Sequence, residues 1–291
     1  AMGIASSKMS PSSLLSYQLG GVMGIQRLKQ LDDSFAEAKH LARVAGQLEQ
    51  IHQLVLNARR QFLVVAETEL TEEVSQYVYE SFGEIPVSNN SQFSLSPVRE
   101  TVKEAWLTST QVNFCAKAYP TVSINHEDAP ALTVLGGFLK NGYLHRAVRE
   151  QGGAYGGGAG QDSGSACFRF YSYRDPRLSE TLDDFDASLS WLHENQHDAE
   201  QLEQAILGVV SQIDKPRSPA GEAKSDFHSA LFGRNREDRE KFRANILKVG
   251  LDDLLSVAKR YLKPEDASVG VVSQPSNKEK LQNLGLEIFE L

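Results

Sequence analysis

From Asp33 to about Arg59, apolar residues recur at three- and four-residue spacing (Phe35, Leu41, Val44, Leu48, Ile51, Leu54, Val55), which predicts one face of a long helix. The continuous apolar run at 62–66 predicts a short buried strand, and 71–82 a helix closed by Gly83. From Glu84 to about Pro97 the pattern lapses into Pro, Asn and Ser, which marks a linker, and a domain boundary is expected near Ser94. Strand-like runs at 102–107 and 112–118 follow. Asp128 is placed to cap a helix through Leu132, Leu135 and Leu139 that must bend or restart at Asn141-Gly142, and 143–151 is the restarted amphipathic helix. Alternation over 166–173 predicts a half-buried strand, paired through the turn at 162–165 with the glycine-bearing strand before it.

The rest of the chain is mostly helical. Asp175-Pro176 reads as a helix start leading into Leu178, Leu182, Phe185, Leu189 and Leu192. Asp198 with Gln201 reads as a capping box for a helix that the prolines of 215–219 stop. Further helices are expected at about 221–232, 236–249 and 252–262, then a strand at 267–273 and a short closing helix. Strand 62–66 with helix 71–82 echoes strand 267–273 with helix 277–283, as two related domain ends in tandem would.

Composition is that of an ordinary globular chain: 41% hydrophobic and 23% charged residues over 291 positions. Thirty basic against 38 acidic residues leave a net charge of −8, which argues against nucleic acid or an anionic membrane as partner. No run approaches the ~20 apolar residues of a membrane span. Two cysteines, Cys115 and Cys167, both inside apolar runs, read as small core residues in a reducing compartment. The opening Ala1-Met2-Gly3 reads as a cloning remnant ahead of an internal start, which makes the chain a piece of a longer protein.

Three motifs carry candidate chemistry. His193-Glu-Asn-Gln-His197 fits H-E-x-x-H letter for letter, but it falls between two helices, has no apolar residues inside it, and reads as a solvated connector. His126-Glu-Asp128 reads as a turn into a helix cap. The glycines from Gly152 to Gly160 fit neither a dinucleotide fingerprint nor a Walker loop, because the order is helix, glycines, strand, and no G-x-S-x-G elbow occurs. They do hold Arg149 and Tyr155 either side of a helix stop, where Gly152 and Gly153 supply positive φ and Gly156 to Gly158 admit a close backbone.

The text Arg149-Glu-Gln-Gly-Gly-Ala-Tyr-Gly-Gly-Gly158, with Phe168-Arg-Phe-Tyr-Ser-Tyr-Arg-Asp-Pro176, Glu203-Gln-Ala-Ile-Leu-Gly208 and Ile213-Asp-Lys-Pro216, resembles the pitrilysin/insulinase family of metallopeptidases, in its presequence-protease-like branch. The resemblance implies an α+β, insulinase-type domain, with a mainly antiparallel sheet packed against several helices, preceded by the helical and strand end of a related domain. Residues 1–94 are then the end of the third family domain plus linker, and 95–291 the fourth. In the family, two bowl-like halves enclose unfolded peptides, and zinc is bound in the first domain by an inverted H-x-x-E-H.

By motif match, Arg149 holds the substrate backbone, the Tyr155 hydroxyl stabilises the oxyanion, and Gly156 and Gly157 join the substrate-binding set. No H-x-x-E-H occurs in this chain, so no metal is expected on it, and zinc belongs to the parent protein. The implied activity is that of the C-terminal half of a zinc metallopeptidase, inactive alone, with unfolded peptides and the N-terminal half as partners. The alternative is a non-catalytic peptide-binding or structural subunit. The implied compartment is the bacterial cytoplasm, or an organelle matrix in a eukaryote.

Overall fold

A computed structural model of the chain describes residues 1–83, 85 and 95–291. The boundary expected at Ser94 and most of the expected linker lie outside the described residues. Two compact units are present. One comprises residues 1–26, 95–215 and 240–291, and the other residues 27–94 and 216–239.

The elements in chain order are α1 (Met2–Ala5), α2 (Pro11–Leu19), α3 (Gly21–Ser34), α4 (Ala38–Leu56), α5 (Thr71–Phe82), β1 (Lys103–Leu107), β2 (Phe114–Pro120) and α6 (Ala129–Leu139). A π-helical stretch, Lys140–Gln151, continues α6. Then come β3 (Gly156–Asp162), β4 (Cys167–Tyr173), α7 (Ser179–Glu194), α8 (Ala199–Ile213), α9 (Pro219–Leu231), α10 (Arg236–Ile246), α11 (Leu251–Tyr261), β5 (Ser268–Ser273), α12 (Lys278–Asn283) and β6 (Glu287–Glu290).

The larger unit is built on one six-stranded sheet in the order β3-β4-β2-β5-β1-β6. Pairing is antiparallel from β3 through β5, while β1 lies parallel to both β5 and β6. Alternation along the strands separates the two faces. Lys117, Tyr119, Phe168 and Phe170 point to the helices, where Phe170 stacks on Phe185 at 5.6 Å and Lys117 reaches Asp186 at 2.6 Å. Phe168, Phe170 and Phe185 are fully buried, a contribution of about 1.5–3 kcal/mol each. On the other face Ala116, Ala118 and Cys167 pack against Ala5 and Met9. There α1 sits close on β5 because Gly270 has no side chain: a Cβ would lie 2.6 Å from the Ala5 nitrogen.

Several expectations are corrected. The strand expected at 62–66 does not form, and Phe62, Leu63 and Val65 are exposed; a strand needs a pairing partner, and the unit containing 62–66 has none among the described residues. Asp175 does not cap α7, which begins at Ser179. Its buried carboxylate instead accepts from the Arg177 amide (2.9 Å) and the Thr181 hydroxyl (2.7 Å) in the turn ahead of the helix. Asp128 makes no side-chain cap and is taken by Arg260 (2.7 Å) and the Tyr261 hydroxyl (2.6 Å). Asp198 caps α8 by accepting from the Glu200 amide. The helix does not restart at Asn141-Gly142; it passes into π winding at Lys140, and Gly142 leaves room for Trp191, which a Cβ would meet. β6 had no expectation, being too short to show a period.

Candidate functional site

The corner between the π-helical stretch and β3 carries the candidate residues. The Gly153 amide donates to the Arg149 carbonyl (3.0 Å) and the Ala154 amide to that of Val148 (3.1 Å), which closes the helical end. Gly153 supplies the positive φ, +78°; Gly152, expected to share that task, has φ −80°. Gly152 is glycine for room instead, because a Cβ would overlap the Arg177 guanidinium and lie 2.5 Å from the Val148 carbonyl. Arg177 fixes this end by donating to the Ala147 carbonyl (3.1 Å) and to Asp184 (2.7 Å).

Ala154 is buried and anchors the corner, which turns Tyr155 outward at 71% exposure. Its ring meets Tyr173 edge-on at 5.9 Å, and Tyr173 in turn meets Phe114 at 5.4 Å, so an aromatic row runs across the ends of β3, β4 and β2. Arg149, in the last helical turn, is exposed. Its Nη1 lies 3.4 Å from His145 Nε2, and His145 Nδ1 lies 3.3 Å from Glu150 five residues on, a spacing that π winding brings together. A guanidinium only donates, so Nε2 accepts and the His145 proton sits on Nδ1 toward Glu150.

Gly156 and Gly157 open β3. No atom lies within 4 Å of a Cβ built on Gly156, whereas one on Gly157 would meet Val148 at 2.8 Å. Gly156 therefore leaves open backbone beside Tyr155, and Gly157 brings the helix down onto the strand. The chemistry assembled here is five guanidinium donors and one phenol beside bare backbone, a set suited to peptide carbonyl oxygens.

The other candidates fall elsewhere. His193 lies in the last turn of α7, which runs two residues past Leu192, and His197 Nε2 donates to the Leu192 carbonyl at 2.8 Å. His126 Nδ1 accepts from the Asp128 amide, a turn into the helix as expected. Burial pushes the Cys115 thiol up to about 12 and also raises that of Cys167, so both are core residues. Among the described residues, no group of three or more His, Cys, Asp or Glu side chains converges as metal ligands would. Among those residues the donor set does not fit zinc. Among the same residues no helix is long and apolar enough to cross a membrane.

The model of the PreP C-terminal domain matches residues 103–273, which covers β1 through β5 and the whole corner. The chain belongs to the presequence-protease branch of the pitrilysin family. It is 32% identical over 266 residues to the mitochondrial presequence protease of Yarrowia lipolytica, across 90% of this chain and 26% of that protein. It is 33% identical over 274 residues to that of Drosophila melanogaster, across 93% and 26%. The chain thus spans about a quarter of the length of these curated relatives. The crystal structure of pitrilysin has the same fold, with TM-score 0.58 and 14% identity over 77% of this chain and 25% of that one. Tyr173 and Arg174, which border the Tyr155 corner, also lie inside the matched segment, and neither is among the sequence-derived candidates.

Proposed function

We propose that this chain lies within the C-terminal half of a zinc-dependent metallopeptidase that degrades unfolded peptides in a closed chamber, of which it spans about a quarter. In this reading residues 1–94 are the end of the third domain with its linker, and 95–291 form the fourth. Arg149 holds the substrate backbone, the Tyr155 hydroxyl donates to the carbonyl oxygen as it gains charge, and Gly156 lets the peptide backbone approach, with Gly157 joining the substrate-binding set by seating that strand against Val148. One observation carries the reading: within the family-matched segment a closed helical end places Arg149 and Tyr155 either side of Gly153, both exposed and neither engaged by an acidic partner among the described residues. The zinc and the general base belong to the N-terminal half, and this chain alone does not hydrolyse. The relatives are mitochondrial by name, which supports an organelle matrix for a eukaryotic parent; the cytoplasm is the compartment proposed for a bacterial one.

The exposed face of α4 fits a helix whose cover lies in another part of the third domain, while the compact units themselves cut across the proposed boundary, joining 1–26 to 95–215 and 216–239 to 27–94. Leu41, Leu48, Ile51, Leu54 and Val55, the face that periodicity predicts to be buried, are all more than half exposed. The occupant of that face is the remainder of the third domain. A non-catalytic peptide holder is the less favoured reading, since the curated relatives are proteases by name.

The test joins this chain to the rest of its reading frame and measures peptide hydrolysis. Tyr155→Phe is expected to lower turnover about 100- to 1,000-fold, as loss of an oxyanion donor does. Arg149→Ala is expected to raise KM as well as lower kcat. Unchanged rates in both variants would remove the assigned roles, and an upstream frame without H-x-x-E-H would favour the peptide holder.

A further inference from the structure

Arg174 has φ +51°, a left-handed conformation that residues other than glycine rarely adopt, at the end of β4 opposite the Tyr155 corner. Both flanks of this residue are fastened. On one side Tyr173 packs edge-on against both Tyr155 and Phe114. On the other, buried Asp175 exchanges backbone hydrogen bonds with Asn113 (2.7 and 2.8 Å), and the Asn113 side chain also donates to the Arg177 carbonyl at 3.1 Å and accepts from Ser273 at 2.6 Å. Between these anchors the Arg174 carbonyl accepts from the Tyr155 amide at 3.3 Å. The guanidinium makes no ion pair among the described residues and lies 5.9 Å from the Tyr173 ring centre. The backbone of Arg174 and the ring of Tyr173 are thus what Tyr155 leans on, and the rare φ is what aims that carbonyl at it.

We propose that the Tyr173–Arg174 corner is the positioning element for Tyr155, holding its hydroxyl where the substrate oxyanion forms, with the left-handed Arg174 backbone rather than its charge as the working part. This rests on the reading of Tyr155 given above. Rigidly held donors act because they need not reorganise, and a misplacement of about 1 Å forfeits up to about 100-fold in rate, part of what removing the donor costs.

The argument separates side chain from backbone. Glycine adopts a positive φ freely, so Arg174→Gly keeps the corner and deletes the charge, whereas a β-branched residue opposes that φ, so Arg174→Val disturbs the corner.

In the full-length protein, Arg174→Gly is expected to hold kcat within about 3-fold. Arg174→Val and Tyr173→Leu should lower it about 10- to 100-fold, with KM within about 2-fold, and Tyr173→Phe should restore it. In a Tyr155→Phe background neither should add more than about 2-fold. A second readout needs no activity: in the 291-residue chain the Tyr155 amide should exchange faster with solvent in Arg174→Val than in Arg174→Gly. Equal losses in the Gly and Val variants would move the role to the guanidinium and overturn the proposal, as would losses that multiply with Tyr155→Phe. If Tyr155→Phe lowers kcat while Arg174→Val and Tyr173→Leu do not, this inference alone falls. If Tyr155→Phe changes nothing, the functional reading falls and takes this one with it.

Discussion

His197 donates Nε2–H to the Leu192 carbonyl, one of the acceptors that the end of α7 leaves without a helical partner, and its ring lies edge-on to Trp191 at 4.5 Å and to Phe138 at 5.2 Å. A histidine so used has Nε2 committed to capping the helix and its ring fixed among aromatic side chains. His197→Ala is therefore expected to lower stability by about 1 kcal/mol, a shift of about 2–4 °C in thermal midpoint, through loss of this bond and of ring packing. Added zinc should leave the midpoint of the unsubstituted 291-residue chain unchanged; a rise that His193→Ala abolishes would restore the metal reading. At this scale the sequence separated Arg149 and Tyr155 from the H-E-x-x-H look-alike, because the helix stop and the glycines are local signals. Tyr173 and Arg174 were out of its reach as a support, since their contact with Tyr155 depends on the register that sets Gly156 opposite Tyr173, and no local pattern encodes a register across two strands.

The β3–β4 hairpin is closed by Asp162, whose Oδ1 accepts from the Gly164 and Ser165 amides at 3.0 and 3.3 Å while Oδ2 lies 3.0 Å from Arg169. Burial acts against the charged form as the largest single influence. The hydrogen bonds to Ser165 and Gly164, together with Arg169, outweigh it and hold the carboxyl below its usual range. A depressed folded value means stability that is present above the unfolded value near 3.9 and lost as pH falls through the folded one. Asp162→Asn should thus cost about 1 kcal/mol at pH 7 in urea unfolding, and the gap to the unsubstituted chain should close on acidification below about pH 4. A gap that stays constant to pH 2 would assign the cost to geometry and not to charge. Most elements were legible at this scale, because the hairpin turn, α5 and α8 are local in period and in capping. Strand 62–66 was legible as an apolar run yet does not form, since a strand is completed by its neighbour and not by its own residues. Gly142 was read as a breaker because local rules price its backbone freedom, whereas its structural task is room for Trp191, which arrives from α7. Gly142→Ala is accordingly expected to cost about 1–3 kcal/mol, measured by urea midpoint, through overpacking against that ring.

At the scale of the molecule, burial is unevenly distributed between the two units. The sheet unit closes its core with Trp106, Tyr119, Phe168, Phe170 and Phe185 all at 0% exposure. In the other unit, α4, α5 and α9 contain no buried residue, although the periodicity of α4 is that of a core-facing helix. Helices in isolation are marginal in water, and the stability of a helix in a protein comes chiefly from burying its apolar face, so α4 and α5 lack most of that support in this chain. Opening free energies within one protein range from near zero to the global value according to such burial. The amides of α4 and α5 are therefore expected to exchange at least 100-fold faster than those of β2, β4 and β5 when the 291-residue chain is followed by hydrogen exchange with peptide-level resolution. Joining the chain to the rest of its reading frame should slow exchange in α4 and α5 toward the level of the sheet while leaving β2 and β4 unchanged, because the apolar face of α4 is exposed and open to burial, whereas β2 and β4 are already inside the sheet. Protection of α4 equal to that of β2 in the isolated chain would show that the helix is stabilised without a covered face. The assignment of residues 27–83 to an incomplete domain would then have lost its physical support.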